Sequence, residues 1–522
     1  MRMQSGTYDP FRPVRRIGIR AEIAVVDADA KANATASASG TLSPSDPAQT
    51  VDGNMQNPQT FATLERNAWV LDGNHPMMSA DASDLGWWSE AVSGDDGTFA
   101  GECFIEYRFT ADAKTIGLVM HFVPGYQPAV GGMRIRTYDA DDALLSDVTS
   151  TDGGAVQQIV FASTYRRMRI DFTKTALPGR RIRMTEIDFG ITQRFDADSV
   201  ADAEIRYKTD LASSALPFGQ CRITIDNADR KYNLLNPSGI YQYLEEGQRV
   251  SVWFTVDGED VYMGAFAFRA AEGRDSALTA KITAVDTVAA LDDTEYNGGR
   301  CAAASFADAI AEVLDDTGIS FVCEGDIGAA PVMMCVPQNT TKREAVRMLT
   351  QAAMGCVYAD RDGNLRFTRP EDIEVPLYSA DDYLLFSADD YLLLAGEGAL
   401  TANELYNYDG ITVSEPVGRI RLVVRDDYSD TEIIYTAGDS GKQMTVRNAC
   451  IAAEAGADVA AWLLSRYARR KQYKIKNRCD PATELLDSIR IHDAYGQNDA
   501  ATVTGITVHY NGGLYAETEA VG

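Results

Sequence analysis

The sequence predicts a mainly β fold with some α/β character, divided into several domains. Three observations predict this class. The chain has 522 residues, enough for roughly three to four domains at about 150 residues each. Short segments that alternate between apolar and polar residues, separated by turn residues, recur through most of the first 290 positions. Segments with the 3.6-residue period of helices are evident only after residue 300.

Composition and charge limit the classes of function. The hydrophobic fraction is 45% and the charged fraction 24%, as in ordinary globular proteins, which excludes wholesale disorder and fibrous architectures. With 76 acidic and 48 basic residues the formal net charge is −28. Because phosphate binding needs clustered cations, we expect no specific nucleic-acid partner and no membrane partner. The sequence shows neither a signal peptide nor an apolar window long enough to span a membrane.

Residues that could carry catalysis or bind metal are sparse. The four histidines lie far apart, and the eight cysteines form no CxxC pair, so we expect reduced thiols, mostly in the core. Three aspartate groups could ligate calcium but lack EF-hand spacing: Asp27 with Asp29, Asp139 with Asp141 and Asp142, and Asp196 with Asp198. Adjacent carboxylate pairs are better interpreted as solvated surface. We therefore predict no catalytic residue, no metal and no cofactor.

The first predicted domain, 1–53, contributes the first strands of a β-barrel domain. Ile17–Val26 has partial strand alternation. Lys31–Ser39 alternates alanine with small polar residues, which is typical either of a linker or of an edge strand of low stability.

A β-sandwich is predicted over 54–193, inserted into the barrel domain. Three of the five tryptophans lie there, at 69, 87 and 88. Six short strands separated by turns are expected, at Glu102–Thr110, Thr115–Val123, Met133–Tyr138, Gln157–Phe161, Arg167–Phe172 and Arg181–Phe189.

The barrel domain resumes at 194–298, followed by an α+β domain at 299–375. Asp257-Gly258 predicts a two-residue hairpin turn. Helices are expected at Ser305–Asp316 and Thr341–Met354, each beginning with a good N-cap residue. A hairpin around Asp362-Gly363 follows the second helix.

The last predicted domain, 376–522, is a second barrel-like domain with a helix at about 457–470. An eight-residue tandem repeat at 379–394 indicates a locally duplicated hairpin or connecting segment. A basic run with interleaved tyrosines, 466–478, permits nucleic-acid binding. In so acidic a chain, however, a helix end followed by a strand with exposed cations is the better interpretation.

Several ordered segments resemble the baseplate hub, or tail-tip, proteins of tailed bacteriophages and prophages, of the type found at the N-terminus of tail-associated lysins. The segments are Leu216–Asn227 (LPFGQCRITIDN), Tyr232–Ile240 (YNLLNPSGI), Tyr243–Gln248 (YLEEGQ), Arg343–Phe367 and Trp462–Ile489. The resemblance as a whole extends, in ordered pieces, over about two thirds of the chain. The resemblance implies tail-tube-like β-barrel domains, two similar ones in each subunit.

The inserted block resembles a galactose-binding-type jelly roll, through 61–65, 69–73, 86–89 and 186–189. Aromatic faces suit sugar rings, so Trp87 and Trp88 are candidate glycan-binding residues, together with Asn74 and His75. Because neighbouring strand residues point to opposite faces, we expect one of the two indoles in the core and the other exposed.

The hub resemblance further implies a structural, non-enzymatic virion protein made in the host bacterial cytoplasm. It would form a homotrimer that closes the tail tube and adapts a sixfold tube to a threefold tip. Its partners would be itself, the tail tube and distal tail proteins, the tape measure protein, a central spike or tail fibre, and a host cell-surface glycan. The alternatives are a carbohydrate-binding surface adhesin and a tail-associated hydrolase.

Overall fold

A computed structural model describes residues 15–53, 65, 85–123, 130–230, 232, 236, 243–273, 278–298, 301–369, 383–385, 391–393, 399–400, 405–425, 431–492 and 498–522. The chain divides into two compact units. The sandwich unit comprises residues 22–194 and 234–248, and the large unit comprises residues 1–21, 195–233 and 249–522.

The first elements of the chain build the sandwich unit, and β1 spans the boundary between the units. They are β1 (Ile17–Val26), α1 (Ala28–Asn33), β2 (Ala34–Ala38), a 3₁₀ turn (Pro47–Val51), β3 (Trp87–Trp88), β4 (Phe104–Phe122), β5 (Gly132–Tyr138), β6 (Leu144–Ser150), β7 (Val156–Lys174), β8 (Arg183–Asp188) and β9 (Gly190–Phe195). Seven strands form one sheet in the order β3-β8-β4-β7-β5-β6, with β2 also paired to β4.

Two 19-residue strands, β4 and β7, let this sheet fold over on itself. The first part of β4, residues 105–109, pairs with β2, and its last part, 119–122, pairs with β8. The register between β4 and β7 shifts in the middle, which is where long strands bend. One buried cluster, including Tyr107, Phe172 and Phe189, fills the interior. The predicted β-sandwich is therefore present.

The N-terminal segment differs in part from its prediction. Ala34–Ala38 is an edge strand, as one of the two interpretations proposed. Residues 28–33 are helical, so the expectation of helices only after residue 300 was wrong. Asp27 caps this helix by accepting a hydrogen bond from the Ala30 amide. Six residues are too few to display a helical period in the sequence. The sandwich unit also begins about thirty residues before the predicted boundary at 54.

The remaining elements form the large unit. They are β10 (Val200–Lys208), β11 (Gln220–Asp226), β12 (Arg249–Val256), β13 (Glu259–Gly273), β14 (Thr279–Val285), α2 (Thr287–Ala290), β15 (Glu295–Tyr296), β16 (Ala303–Ser305), α3 (Phe306–Leu314), β17 (Phe321–Cys323), a 3₁₀ turn (Ile327–Ala329), β18 (Pro331–Met333), β19 (Thr340–Thr341), α4 (Lys342–Ala352), β20 (Cys356–Ala359), β21 (Leu365–Thr368), β22 (Tyr383–Leu385), β23 (Tyr391–Leu393), β24 (Ala399–Leu400), β25 (Leu405–Val413), β26 (Val417–Arg425), β27 (Glu432–Ala437), β28 (Lys442–Arg447), a 3₁₀ turn (Ala453–Ala455), α5 (Gly456–Ala468), β29 (Lys471–Asn477), β30 (Ser488–His492), β31 (Asn498–Tyr510) and β32 (Leu514–Val521).

The main sheet of the large unit contains the same five-stranded arrangement twice. The first repeat runs β10-β11-β14-β13-β12, and the second runs β25-β29-β32-β31-β30. If the five strands of each repeat are numbered along the chain, their order across the sheet is 1-2-5-4-3 in both repeats. All neighbouring strands within a repeat are antiparallel. Each repeat also carries a bulge at the same place: β13 skips Arg269 against β14, and β31 skips Thr504 against β32. Bulges are specific features, so this coincidence marks a true structural repeat.

The two repeats share one open sheet. Strand β10 of the first repeat pairs with β31 of the second, from Ala203 opposite Tyr510 to Lys208 opposite Gly505. In the part of the chain that the structure describes, neither repeat closes into a barrel. The prediction of β-barrel domains was wrong in that the sheet stays open. The physical reason is that the backbone groups at the edge of β10 bond to β31 of the second repeat rather than to a strand of the first.

The predicted turns and caps in the large unit are confirmed. Asp257 and Gly258 both have positive φ, 51° and 97°, between β12 and β13, as a type I′ turn requires. Ser305 and Thr341 cap α3 and α4 by accepting amide hydrogen bonds. The described parts of the tandem repeat are one strand from each copy, β22 and β23, and these two strands pair antiparallel.

The cysteines follow the prediction except for one pair. Of the six free thiols, five are buried and Cys323 is half-buried. Cys301 and Cys335, with Cα atoms 4.4 Å apart, form a disulfide, so the expectation that all eight are reduced was wrong. The two cysteines extend the antiparallel ladder of β16 and β18, in which Ala303 lies opposite Met333, a relation that their spacing of 34 residues does not reveal.

Candidate functional site

The candidate glycan-binding tryptophans are both fully buried, with exposures of 0%. The prediction that one indole is exposed was wrong. Trp87 lies in the sandwich core beside Phe172, with ring centroids 5.9 Å apart. Its indole N–H donates to the Gly40 carbonyl oxygen at 3.1 Å. Asn74 and His75, the other candidates, lie outside the described residues, and their role stays a prediction.

Trp88 faces away from Trp87 but is covered by a buried cation. The Arg183 guanidinium lies 4.3 Å from the ring centroid of Trp88 and forms an ion pair with Glu65. Both charged side chains are about 2% exposed or less. Burial lowers the pKa of Arg183 to about 9. The indole face that could have stacked on a sugar is therefore occupied by the protein's own arginine.

A second buried charge cluster in the sandwich unit joins Lys31, Glu186, Asp188 and His121. The Lys31 ammonium contacts both the Glu186 carboxylate and Asp188, the latter at 2.8 Å. Burial raises the pKa of Glu186, and Lys31 opposes that rise. Burial also acts on Asp188, but its hydrogen bonds from His121 and Lys31 keep its pKa below the usual value. Lys31 is thus the counter-ion of a carboxylate that is 0% exposed.

Replacing Lys31 with methionine should lower the free energy of unfolding by about 2 kcal/mol at pH 8. The loss should shrink at pH 5. Without its cation, Glu186 has a folded-state pKa further above its unfolded value, so the folded state binds an extra proton and stability falls as pH rises through that pKa. Urea denaturation at both pH values measures this. Lys31→Arg is the control that keeps the charge, and an equal loss at both pH values would contradict the role.

The aspartate groups considered as calcium ligands have local structural roles. Asp139 accepts hydrogen bonds from the amides of Asp141 and Ala143 within a turn, and Asp196 does the same for Asp198. Among the described residues, no group of three or more His, Cys, Asp or Glu side chains lies close enough to hold a metal ion. No helix in the described part of the chain is long and apolar enough to cross a membrane.

The basic run lies at the end of α5 and along β29, as its structural interpretation predicted. Its cations contact other parts of the large unit. Arg470 donates to the Ser414 carbonyl oxygen at 2.9 Å, and Lys474 pairs with Glu517 at 3.3 Å. Lys476 lies 4.4 Å from the ring centroid of Tyr515.

A cleft of about 830 Å³ in the large unit is lined by many charged side chains. Arg366 bonds Glu324 at 2.8 Å and Asp360 at 2.9 Å, and Arg369 bonds Asp326 at 2.8 Å. Arg366 and Arg369 are thus each paired with acidic neighbours, and the described lining contains no serine or cysteine.

The junction between the two repeats is the interface best defined by geometry. Ile205 of β10 lies opposite Val508 of β31, and their exposures are 0% and 1%. Among the described strands, β29 is the one that pairs with β25, the first strand of the second repeat. The other edge of β25 corresponds to the edge of β10 that pairs with β31 at the junction. The hub resemblance implied two similar domains but not this junction between them, because only strand pairing shows which strands meet.

No protein-family model and no curated protein matches the sequence. Solved structures do match it. Among them are phage tail proteins and sugar-binding modules. A 43 kDa tail protein of prophage MuSo2 from Shewanella oneidensis is 14% identical, over 63% of this chain and 94% of that one, with a TM-score of 0.42. A tail protein from Neisseria meningitidis is 11% identical, over 64% and 94%, with a TM-score of 0.42.

The family 32 carbohydrate-binding module of NanJ from Clostridium perfringens, solved with galactose, is 12% identical. The match covers 33% of this chain and 99% of that module, with a TM-score of 0.22. The chain thus resembles both groups that its sequence motifs indicated.

Proposed function

We propose that the chain is a structural baseplate hub, or tail-tip, protein of a bacteriophage or phage-tail-like particle. Three copies form a homotrimer at the distal end of the tail tube, where they adapt a sixfold tube to a threefold tip. The partners in this proposal are the tail tube and distal tail proteins, the tape measure protein, and a central spike or tail fibre. The chain performs no catalysis in this role.

The observation that carries the proposal is the internal repeat of the large unit. Two five-stranded groups with the same strand order and the same bulge lie side by side in each chain. Three such chains supply six equivalent groups, the number that a sixfold tube requires, while the subunits themselves obey threefold symmetry. The hub motif at 216–227 supports it, because it includes β11, the second strand of the first repeat.

Native mass measurement tests this proposal, with the purified chain alone and with isolated tail tubes. The expected species is a trimer, either free or formed on contact with the tube. Incorporation into tail particles at three copies per tip would agree. A chain that stays monomeric and never joins isolated tails would contradict the hub function.

The sandwich unit is proposed as an accessory module that binds a cell-surface glycan. Two observations support this proposal. The sandwich unit has a hydrophobic core of its own, and its sequence contains the candidate glycan-binding residues Asn74 and His75. Glycan-array binding by the whole chain, compared with Asn74→Ala and His75→Ala variants, tests the module. Binding without any tail incorporation would favour the alternative, a surface adhesin.

A further inference from the structure

We propose that Cys301 and Cys335 form a redox-controlled lock, which stays open while the chain is in a reducing compartment and is closed by a small-molecule disulfide once the chain leaves it. In the structure the two cysteines are joined, with their Cα atoms 4.4 Å apart. The inference rests on the proposed function for one point, the passage of the chain from the host cytoplasm to a free particle. The chemistry and its test depend on the chain alone.

The other cysteines are shielded from this chemistry. All eight cysteines lie in the described part of the chain, and six of them are free thiols. Five of the six are buried. Burial raises the pKa of Cys103, Cys356 and Cys450 to about 12, so these thiols stay protonated and unreactive at neutral pH. The sixth, Cys323, is half-buried, and burial raises its pKa as well.

The two members of the joined pair differ in their access to solvent. Cys301 is exposed, whereas Cys335 is 8% exposed and lies in a small apolar cluster with Met333 and Ala452. Exposed disulfides are the labile ones, because small thiols and disulfides can reach their sulfur atoms. Cys301 is therefore the entry point for exchange with solvent, and Cys335 closes the bond from the inside.

The closing reaction consumes one molecule of a small disulfide, RSSR, such as oxidised glutathione. The Cys301 thiolate attacks one sulfur of RSSR, which forms a mixed disulfide and releases RS⁻. The Cys335 thiolate then attacks the Cys301 sulfur, which forms the Cys301–Cys335 bond and releases the second RS⁻. The two protons lost by the cysteines end on the released thiols, so RSSR gains the two electrons that the protein pair loses. Excess RSH drives the same steps backwards.

The bond pins the open end of a short strand pair. β16 and β18 pair over three residues, and beyond them the Met334 amide donates to the Ala302 carbonyl oxygen at 2.8 Å. β16 leads directly into α3, whose apolar face is buried in the core of the large unit. A bond between Cys301 and Cys335 closes a loop that contains the whole of α3. Closing such a loop restricts the conformations of the opened chain and so disfavours opening.

On its other side, β18 contacts the segment that precedes α5. The Met333 amide donates to the Cys450 carbonyl oxygen at 2.8 Å. The apolar cluster around Cys335 includes Ala452, from the same segment. The closed lock therefore holds α3 and the segment leading into α5 together, both within the large unit. The open lock leaves them joined by non-covalent contacts.

Thiol counting on the full chain tests the chemistry. Purified chain is incubated with excess oxidised or excess reduced glutathione, freed of it, alkylated with iodoacetamide in denaturant and weighed by mass spectrometry. Six alkyl groups are expected after oxidation and eight after reduction, because six of the eight cysteines are free in the structure. Eight groups under both conditions would show that no lock forms. Six under both would show a static disulfide, which also overturns the proposal.

Hydrogen exchange of the folded chain tests what the lock holds. Amides in 302–314 should exchange about tenfold or more slowly in the oxidised chain than in the reduced chain. Amides of β11, in the main sheet, should exchange equally in both. Circular dichroism should also be the same, since both forms are folded. Equal exchange of 302–314 in the two forms would mean that the bond restrains nothing.

Two serine variants identify the pair. Cys301→Ser should exchange like the reduced wild-type chain under both conditions and carry seven alkyl groups, one fewer than eight. Cys323→Ser is the matched control, because it removes a cysteine inside the same loop. It should keep the redox response, and a loss of that response would contradict the assignment. None of these measurements involves assembly, so a negative result leaves the hub function standing, and a chain that never joins tails leaves the lock standing.

Discussion

Replacing Trp87 with alanine should lower the free energy of unfolding of the sandwich unit by about 4 kcal/mol. The indole is fully buried and packs on Phe172, and its N–H is the donor to the Gly40 carbonyl oxygen. Truncation leaves a cavity in the core and removes one of the two donors to the Gly40 carbonyl oxygen, which also accepts from the Glu90 amide at 3.3 Å. Urea denaturation followed by near-ultraviolet circular dichroism measures the loss.

Val92→Ala is the matched control, because Val92 lies in the same unit and is 41% exposed. Its effect should stay within about 0.5 kcal/mol. Trp87→Phe should fall between the two, since it keeps most of the ring volume and loses the donor. A Trp87→Ala variant as stable as the control would mean that the indole is not the core residue described.

Replacing Arg361 with methionine should destabilise the large unit by about 4 kcal/mol. This guanidinium donates to the carbonyl oxygens of Tyr262, Pro481 and Thr483 at 2.9, 2.7 and 3.0 Å. The side chain is only 7% exposed. It ties the β20–β21 hairpin to β13 of the first repeat and to the segment before β30 of the second. Removing it leaves three acceptors without their charged donor.

Arg366→Met is the control for this variant. Arg366 belongs to the same hairpin and its side chain is 35% exposed, so its ion pairs with Glu324 and Asp360 should contribute about 1 kcal/mol or less. Denaturation midpoints of the two variants give the comparison. Equal losses would show that Arg361 acts as one more surface ion pair rather than as a clamp.

Local signals in the sequence predicted local structure well. The caps at Ser305 and Thr341 and the turn at Asp257-Gly258 are where propensity placed them, because each depends on a few neighbouring residues. The burial of Trp88 was not predictable in this way. The arginine that covers it lies 95 positions later, and its partner Glu65 comes from a third segment.

The single sheet shared by the two repeats was not predictable, because it depends on contacts between strands far apart in the chain. Gln220–Asp226 (QCRITID) and Lys471–Asn477 (KQYKIKN) share little beyond an alternation that every half-buried strand shows. The equivalence of the two strands is visible only from the strand pairing and the position of the bulge. Both depend on residues far apart in the chain. The resemblance to hub proteins implied two similar domains, but not that they would share one open sheet.

The order of the units along the chain sets how many sandwiches a trimer would carry. Most of the sandwich unit, residues 22–194, precedes β10 of the first repeat, whereas the second repeat is preceded by the short elements β22 to β24. A ring with six repeats would therefore display three sandwiches rather than six. If each sandwich binds a surface glycan, as proposed, three linked sites would bind a dense glycan surface with an avidity that exceeds the single-site affinity by roughly 10²–10⁴. Each single contact could then be weak and short-lived while the particle stays attached.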